Sequence, residues 1–306
     1  MPNDKVKSYL HLHFIVFVWG FTAVLGKKIS LPALSLVWFR MSLAVLFMLV
    51  YVALMRIRMR VPLQTVAAFL VAGFVIALHW LTFFQAIKVS NVSVTLACLS
   101  TGAFFTAFLE PIFMKRKVVW YEIVFGLLVI GGLCIIFQVE SRFWEGILLA
   151  LTSAFLSATF SIVNGAFASR FNAAVISVYE IIGGILLLTV WLAVTECFGP
   201  GFFDLSLSDW TYLAILSSVC TAYAFIASVQ VMRHLTPYTV MLTINLEPVY
   251  GILLAIIWLK GDEKMRWEFY LGAAIILATV VMNGILKTRA RRIATTSDSG
   301  GNGIES

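Results

Sequence analysis

The residues best suited to chemistry in this sequence are Asn245, Glu247 and Pro248, which lie in the middle of a long apolar stretch. Glu247 falls about ten residues into that stretch, or about 14 Å along a helix. An ionised carboxylate at that depth of a membrane is costly unless it is paired, hydrated or protonated. Pro248 cannot donate to the carbonyl of Ile244, so we expect a kink and a free carbonyl beside the carboxylate. Two interpretations stay open: Glu247 serves a polar pathway or gate, or it is neutral and fixes the helix bundle.

Four further side chains within the apolar segments are candidates to line a cavity. Trp19 could stack on a ring or cation, or pack between helices. His79 could shuttle protons, or donate to a backbone carbonyl. Tyr223 could offer a ring and a hydroxyl to a ligand, or use both to pack helices. Asn164 is too polar to face lipid, so we expect it to face the cavity.

Arg40 and Glu180 are candidate proton or charge sites at equivalent positions of two apolar segments. Each lies about six residues, or about 9 Å, from the start of its segment. If the segments start on opposite faces of a core about 30 Å thick, the two charges are about 12 Å apart in depth. We therefore expect no direct ion pair. Arg40 should extend toward the interface or meet a helix C-terminus, and Glu180 either carries protons or stays protonated.

Part of the sequence is duplicated, because residues 90–137 align without a gap with residues 236–283. In this alignment Thr101 and Gly102 are the counterparts of Glu247 and Pro248. Gly102 is therefore a candidate hinge, like Pro248. The hydroxyl of Thr101 either faces a cavity or bonds back to its own helix.

The composition requires a membrane environment for this chain. Hydrophobic residues make up 61% of the sequence, and the mean hydropathy is +0.98. Soluble domains are about 45–50% apolar, and a helix needs about 20 apolar residues to cross a bilayer. The segments of suitable length and hydropathy are ten in number and lie at 10–26, 34–55, 65–86, 92–113, 119–138, 146–167, 173–197, 210–232, 238–259 and 268–287.

Ten spans that contain a duplication give two units of five helices each. Because five is odd, the second unit must lie upside down relative to the first. The predicted fold is therefore an all-α integral membrane protein with ten transmembrane helices in two inverted five-helix repeats, an architecture typical of secondary transporters. The boundaries follow as an N-terminus over 1–9, repeats over 10–138 and 146–287, and a basic, disordered tail over 288–306.

The net charge of +7 comes from an asymmetric distribution of Lys and Arg. The side that carries both termini has twice as many of these residues as the other side. The positive-inside rule then predicts cytoplasmic termini, and we expect a multi-pass protein of the inner (plasma) membrane. The basic segment 287–292 should contact anionic lipid, and we expect no nucleic-acid partner.

Catalytic and metal motifs are missing from the sequence. The four cysteines fall within or at the end of spans without a CxxC pair, and neither HExxH, GxSxG nor a clustered Asp/His set occurs. We predict no metal, no cofactor and no enzyme activity. A membrane-embedded enzyme or a channel-like protein is the alternative function. The expected partners are a small-molecule substrate and lipid, and the oligomeric state stays open.

Two sets of motifs resemble EamA-type members of the drug/metabolite transporter superfamily. The first is Trp19-Gly20 with Lys27, Pro32 and Trp38-Phe39-Arg40, and the second is Glu247-Pro248 with Gly261 and Asp262-Glu263. The resemblance spans residues 10–287. It implies ten helices in two inverted repeats, with helices one, three, four, six, eight and nine around a central midplane cavity. It also implies alternating-access transport, often outward, of small metabolites such as amino acids or related compounds.

Overall fold

The protein is helical throughout the residues that the computed structural model describes, which are 2–114, 120–195, 198–199, 201–235, 237–259 and 265–300. No strand occurs among them. The α-helices in chain order are α1 (Pro2–Lys28), α2 (Ala33–Leu54), α3 (Leu63–Val89), α4 (Val92–Leu99), α5 (Gly102–Met114), α6 (Trp120–Val139), α7 (Trp144–Ala168), α8 (Ala173–Val194), α9 (Leu207–Ser217), α10 (Ala224–Val231), α11 (Pro237–Ile244), α12 (Glu247–Trp258) and α13 (Trp267–Gly300). A π-helix, Ser218–Tyr223, joins α9 to α10.

The described residues contain 8 helical segments that are long and apolar enough to cross a membrane. They correspond to the predicted spans one to four and six to nine. The predicted fifth and tenth spans lie in α6 and α13, where the apolar stretches are shorter and cover Val124–Ile136 and Trp267–Thr279. The chain is therefore a multi-pass membrane protein.

Two of the membrane segments are broken near their middle, at matching positions of the duplication. α4 and α5 are separated at Ser100–Thr101, and α11 and α12 are separated at Asn245–Leu246. The offset of the sequence alignment pairs Ser100 with Leu246. Gly102 begins α5, and Pro248 lies in the first turn of α12. The kink predicted at Pro248 is thus present as a break between two half-helices.

The two breaks have different local causes. In the second repeat, Pro248 has no backbone N–H to donate to the carbonyl of Ile244, which removes one hydrogen bond of the helix at this turn. In the first repeat, hydroxyls bond back to the carbonyls of the preceding turn. Ser100 donates to Ala97 at 2.6 Å and Thr101 donates to Cys98 at 2.7 Å. Such bonds satisfy groups that a helix end exposes.

Contacts between the two repeats occur in exchanged pairs. α1 packs against α12, and in the same way α7 packs against α4 and α5. α3 packs against α8, as α2 packs against α9. α3 also packs against α7, as α10 packs against α1, while α6 and α13 contact each other. In each comparison, both helices are replaced by their counterparts in the other repeat. A two-fold relation between the repeats produces this exchange of partners.

α3 and α8 approach each other closely because both contribute glycines to the crossing. A Cβ atom added at Gly73 would overlap the carbonyl of Glu180, and one added at Gly183 would overlap the carbonyl of Leu70. Small residues at such crossings let helix backbones pack together in membranes. The crossing thereby fixes the depth of Glu180 against α3.

The chain termini are more helical than the sequence predicted. α1 begins at Pro2 rather than near residue 10, and α13 continues to Gly300, into the segment 288–306 that was predicted to be disordered. Extending an existing helix costs little free energy, because each added residue gains one hydrogen bond that offsets the ordering of its backbone. The basic turn 115–117, the predicted motif at 261–263 and the last six residues lie outside the described residues.

Candidate functional site

A cavity lies between the two repeats, and the space in it that is open to the centre of a water molecule is about 80 Å³. It is bordered by α1, α3, α4, α7, α10, α11 and α12, which belong to the predicted spans one, three, four, six, eight and nine that the resemblance implies. α2 borders it as well. Aromatic rings and polar side chains alternate in its wall. The lining residues are Trp19, Thr22, Arg40, Ile76, His79, Trp80, Phe83, Leu99, Ser157, Phe160, Ser161, Phe225, Ser228, Met232, Met241, Ile244 and Glu247.

Arg40 is the principal cation of this cavity, and its side chain is buried. Its Nε donates to the hydroxyl of Thr221 at 2.7 Å, and its guanidinium carbon lies 4.1 Å from the ring centroid of Trp80. The ring of Phe84 lies farther away, at 5.4 Å. Nη1 has no hydrogen-bond partner among the described residues. The expectation that Arg40 extends toward the interface is wrong, because an aromatic face and a hydroxyl hold the guanidinium inside the bundle.

The π-helix Ser218–Tyr223 supplies the polar contacts of Arg40 and Trp19. The hydroxyl of Thr221 donates to the carbonyl of Leu216 at 2.6 Å, which leaves its oxygen free to accept from Arg40. The carbonyl of Cys220 accepts from Nε1 of Trp19 at 3.2 Å. π-Helices are rare and concentrate at functional sites. The sequence did not predict this one, because a run of small residues there also suits a regular helix.

Glu247 is the carboxylate of the cavity and lies at the break between α11 and α12. It is the first residue of α12, and only 7% of its surface is exposed. The N-terminus of a helix carries partial positive charge, which favours an anion at this position. In the described part of the chain, no direct ion pair joins Glu247 to Arg40. One carboxyl group and one guanidinium therefore border the same space without a direct ion pair between them.

His79 and Trp19, both predicted to line a cavity, lie in its wall. Nδ1 of His79 is 2.9 Å from the carbonyl of Ser153 and 2.8 Å from its hydroxyl. The bond to the carbonyl requires a proton on Nδ1, which leaves Nε2 as the acceptor of a neutral ring. His79 thus makes the backbone hydrogen bond that its structural alternative predicted, and its ring also borders the cavity.

Three other predicted residues are buried but do not line the cavity. Thr101 bonds back to Cys98, and Asn245 lies in the break of the second repeat with no partner for Nδ2. Nδ2 of Asn164 donates to Oε2 of Glu180 at 3.3 Å. Asn164 and Glu180 therefore form a polar pair between α7 and α8, one turn from the cavity residue Ser161. Their remaining oxygens, Oδ1 and Oε1, have no partner in the described structure.

Tyr223 lies outside the central cavity, contrary to the prediction. Its hydroxyl is 2.7 Å from Nε2 of His11, and 42% of its surface is exposed. It borders a second groove on another face of α10, together with Phe47 and Tyr51 of α2. The π-helix has more residues per turn than an α-helix, so it changes the face on which its last residue lies.

The described residues contain no group of three His, Cys, Asp or Glu side chains that could hold a metal. The polar groups of the cavity are instead single charges, hydroxyls and an imidazole. Such groups bind and orient an organic molecule by hydrogen bonds and charge.

A bundle of apolar, membrane-length helices in two related halves, with a polar cavity between them, is the construction of a membrane transporter. The chain belongs to the EamA-like transporter family, part of the drug/metabolite transporter superfamily, and the family profile matches residues 7–138 and 144–285. This match confirms the resemblance and the duplication.

Solved structures support the same fold. The crystal structure of another protein is similar to this chain, with 14% sequence identity and a TM-score of 0.68, over 92% of this chain and 98% of the other. In all, 27 solved chains match. No curated protein matches the sequence.

Proposed function

We propose that this protein is a secondary transporter that moves a small organic metabolite through the central cavity by alternating access, without converting it. The cavity between the repeats carries this proposal, because Arg40, Glu247 and aromatic rings line it at the level of two broken helices. Broken helices near the midplane are the substrate sites of many inverted-repeat carriers. Membership in a transporter family favours transport over the alternative of a membrane-embedded enzyme.

The proposed topology has ten spans in two inverted repeats. The protein lies in the inner (plasma) membrane, and both of its termini lie in the cytoplasm. The exchanged helix contacts and the asymmetry of Lys and Arg support it. Membrane-impermeant thiol reagents added outside intact cells should not label cysteines introduced at residues 56–60 or in the tail. Labelling of either site would refute the topology.

Alternating access requires one end of the cavity to open while the other is closed. At the end where α1 and α3 stop and α9 begins, Asp209 accepts from the backbone N–H of Ser30 at 2.8 Å and from its hydroxyl at 2.7 Å. Lys88 donates to the carbonyl of Ile29 at the same end. In the proposed topology this is the outer end. We infer that these bonds hold it closed and break when the cavity opens outward.

The energy for transport must come from a gradient, since the sequence has no GxxxxGK[ST] loop. Glu180 is the proposed proton site. It is buried beside Asn164, and its free Oε1 leaves a position for a proton or a water molecule. Ser161, which borders the cavity on the same helix as Asn164, provides a short route between the two places.

The transport test uses purified protein in liposomes and a mixture of amino acids and related metabolites. Saturable uptake with counterflow, absent from empty liposomes, is the expected result. Flux without saturation or counterflow would indicate a channel, and a new covalent product would indicate an enzyme. A pH gradient should accelerate uptake by the wild type but not by Glu180→Gln, and equal acceleration of both would remove Glu180 as the proton site.

The direction proposed is export, as is frequent in proteins that this chain resembles. Cells that express the protein should release more of its substrate than cells without it, measured by an untargeted comparison of the growth medium. Greater retention of that substrate by expressing cells would instead indicate import.

A further inference from the structure

We propose that the second groove, the one that Tyr223 borders, binds one anionic phospholipid. An acyl chain lies along the groove, and the phosphate group contacts arginines at its end. Residues of α1, α2, α8, α10 and the π-helix line this groove. The inference goes beyond the proposed function, because it concerns a lipid that stays bound to the protein and not the molecule that is transported.

The length of the groove matches one leaflet of a membrane. On one side its lining runs from Ser218, the first residue of the π-helix, to Gln230, near the end of α10. A separation of 12 residues is about 18 Å along a helix. One leaflet of the hydrocarbon core is about 15 Å thick. The space that is open to the centre of a water molecule is about 430 Å³, so the groove has room for an extended acyl chain.

Small side chains and aromatic rings form the wall of the groove. The exposed fractions of Phe47, Tyr51 and Tyr223 are 43%, 39% and 42%, and in a membrane protein such rings face lipid. Between them the wall is built from small buried side chains, which are Ala173, Ala174, Ala222 and Ala227. Alanine leaves space that a larger apolar side chain would fill. The groove therefore presents an apolar surface that is open toward the acyl chains of the bilayer.

Polar side chains lie at the end of the groove where α8 begins and α10 ends. Asn172 and Gln230 are both exposed there. The side-chain oxygen of Asn172 caps α8, which leaves its amide nitrogen to donate to another acceptor. None of the described lining residues carries a carboxylate that would repel a phosphate. This end therefore suits the ester and phosphate oxygens of a lipid.

Arginines lie beside the same end. Ile57 lines the groove, and its neighbours Arg56 and Arg58 are exposed. Arg233 donates through Nη2 to the carbonyl of Phe171 at 2.8 Å, which holds its guanidinium at the start of α8. Guanidinium groups bind phosphates through paired hydrogen bonds. Each arginine near a membrane surface increases the affinity for anionic lipid by about 5-fold. The arginines therefore favour an anionic headgroup over a zwitterionic one.

The bound lipid contacts the element that supports the central cavity. Tyr223, which borders the groove, is the last residue of the π-helix. In the same π-helix, the hydroxyl of Thr221 accepts from Arg40 and the carbonyl of Cys220 accepts from Trp19. One short element therefore has the lipid on one face and cavity residues on another.

The headgroup is tested by native mass spectrometry of the purified full chain. Dissociation constants are measured for the first bound molecule of dioleoylphosphatidylglycerol and of dioleoylphosphatidylcholine, which have identical acyl chains. The anionic lipid should bind about 10- to 30-fold more tightly, as expected for two arginines. Equal binding of the two lipids by the wild type would overturn the inference.

Two double variants assign this preference to the arginines of the groove. Arg58→Gln combined with Arg233→Gln should remove most of the preference for the anionic lipid. Arg142→Gln combined with Arg266→Gln removes the same charge at a distance from the groove, from side chains that are 67% and 69% exposed. This control should keep the preference. An equal loss in both double variants would show that net charge alone attracts the lipid, and the site would be refuted.

A photoreactive lipid tests the position without any substitution. Phosphatidylglycerol with a diazirine in one acyl chain is added to the wild type in nanodiscs and irradiated. Labelling should concentrate at Phe47, Tyr51 and Tyr223 over Leu186 and Val190, two exposed apolar residues farther along α8. Uniform labelling of these positions would indicate ordinary contact with the bilayer and would refute the site, even if a variant fails to fold.

Two further variants test what fills the groove. Gln230→Trp should obstruct the groove and weaken the first binding event of both lipids, whereas Thr211→Trp, at an exposed position of α9 outside the groove, should not. Unchanged binding in Gln230→Trp would count against the site. A disulfide between two copies of Phe47→Cys, in a background without native cysteines, would show that a second copy covers the groove and would overturn the inference. None of these measurements involves transport, so the transport proposal and the lipid site fail independently.

Discussion

At the scale of single residues, the cavity is defined by an arginine and a glutamic acid that are buried without a direct ion pair between them. Arg40 is stabilised by Trp80 and Thr221, and Glu247 by its place at the start of α12. Burial of a charge with incomplete pairing costs free energy that a purely structural role does not require. Retaining both charges in one space is therefore consistent with a role in binding.

Replacing Glu247 by Gln keeps the volume and most of the hydrogen bonding while it removes the ionisable group. If ionisation contributes to transport, the variant should express and fold normally but transport at a different rate or with a different pH dependence. Initial uptake rates in proteoliposomes across a range of pH measure this. Glu268→Gln, an exchange at the partly exposed start of α13, serves as the control. A well-folded Glu247→Gln protein with an unchanged pH profile would leave the carboxyl with a structural role only.

At the scale of helices, breaks and close crossings position these residues. The break at Asn245–Leu246 directs Glu247 toward the cavity, and the π-helix directs Thr221 toward Arg40. The close crossing of α3 and α8 holds the helices around these residues in place. Each of these features departs from a regular isolated helix.

Pro248→Ala restores a backbone donor at the break and should allow α11 and α12 to join into a more continuous helix. We expect a slower transport rate with equal or higher thermal stability, because the half-helices then move less independently. Pro111→Ala is the matched control, since Pro111 lies inside α5 without breaking it. Equal transport by both variants, measured as initial uptake, would show that the break at Pro248 has no part in the cycle.

Gly73→Ala should destabilise the protein, because the new methyl group would overlap the carbonyl of Glu180 on the facing helix. Overpacking of this kind costs about 1–3 kcal/mol. Gly131→Ala provides the comparison, because no atom lies within 4 Å of a Cβ at that position. Thermal unfolding in detergent should show a lower midpoint for the first variant and little change for the second. A similar midpoint for both would mean that α3 and α8 can separate without loss.

At the scale of the whole molecule, two repeats surround one cavity, and the proposed alternating access requires its two ends to open in turn. At one end of the cavity, Asp209 of the second repeat accepts hydrogen bonds from Ser30 of the first repeat. Ser206 also donates to Asp209 at 2.7 Å, so the carboxylate accepts from both segments. Movement of one repeat against the other at this end has to break these bonds.

Asp209→Asn should favour the conformation that is open at this end, because an amide nitrogen cannot accept from the hydroxyls of Ser30 and Ser206. The readout is the labelling rate of a cysteine placed at Thr22 in the cavity wall, in a background without native cysteines. A membrane-impermeant reagent added outside should label it faster in the variant. Asp204→Asn, an exchange at an exposed residue near the same end, should leave the rate unchanged. An unchanged rate for Asp209→Asn would remove this link from the gate.

The sequence by itself determined the properties that depend on neighbouring residues in the chain. Apolar length predicted eight membrane segments that the structure contains, the alignment of two stretches revealed the repeats, and the missing N–H of Pro248 predicted the break between α11 and α12. These follow from local hydropathy and backbone geometry, which need no knowledge of the rest of the fold.

The tertiary structure alone decided the contacts made between distant helices. Arg40 remains buried because Trp80 and Thr221 are brought to it from α3 and the π-helix. Tyr223 turns away from the cavity toward His11 because the π-helix changes its face, and Asn164 pairs with Glu180 instead of lining the wall. A side chain in mid-membrane takes its position from the partners that satisfy its polar atoms. Those partners lie from 16 to 212 residues away in the sequence, so local patterns could not identify them.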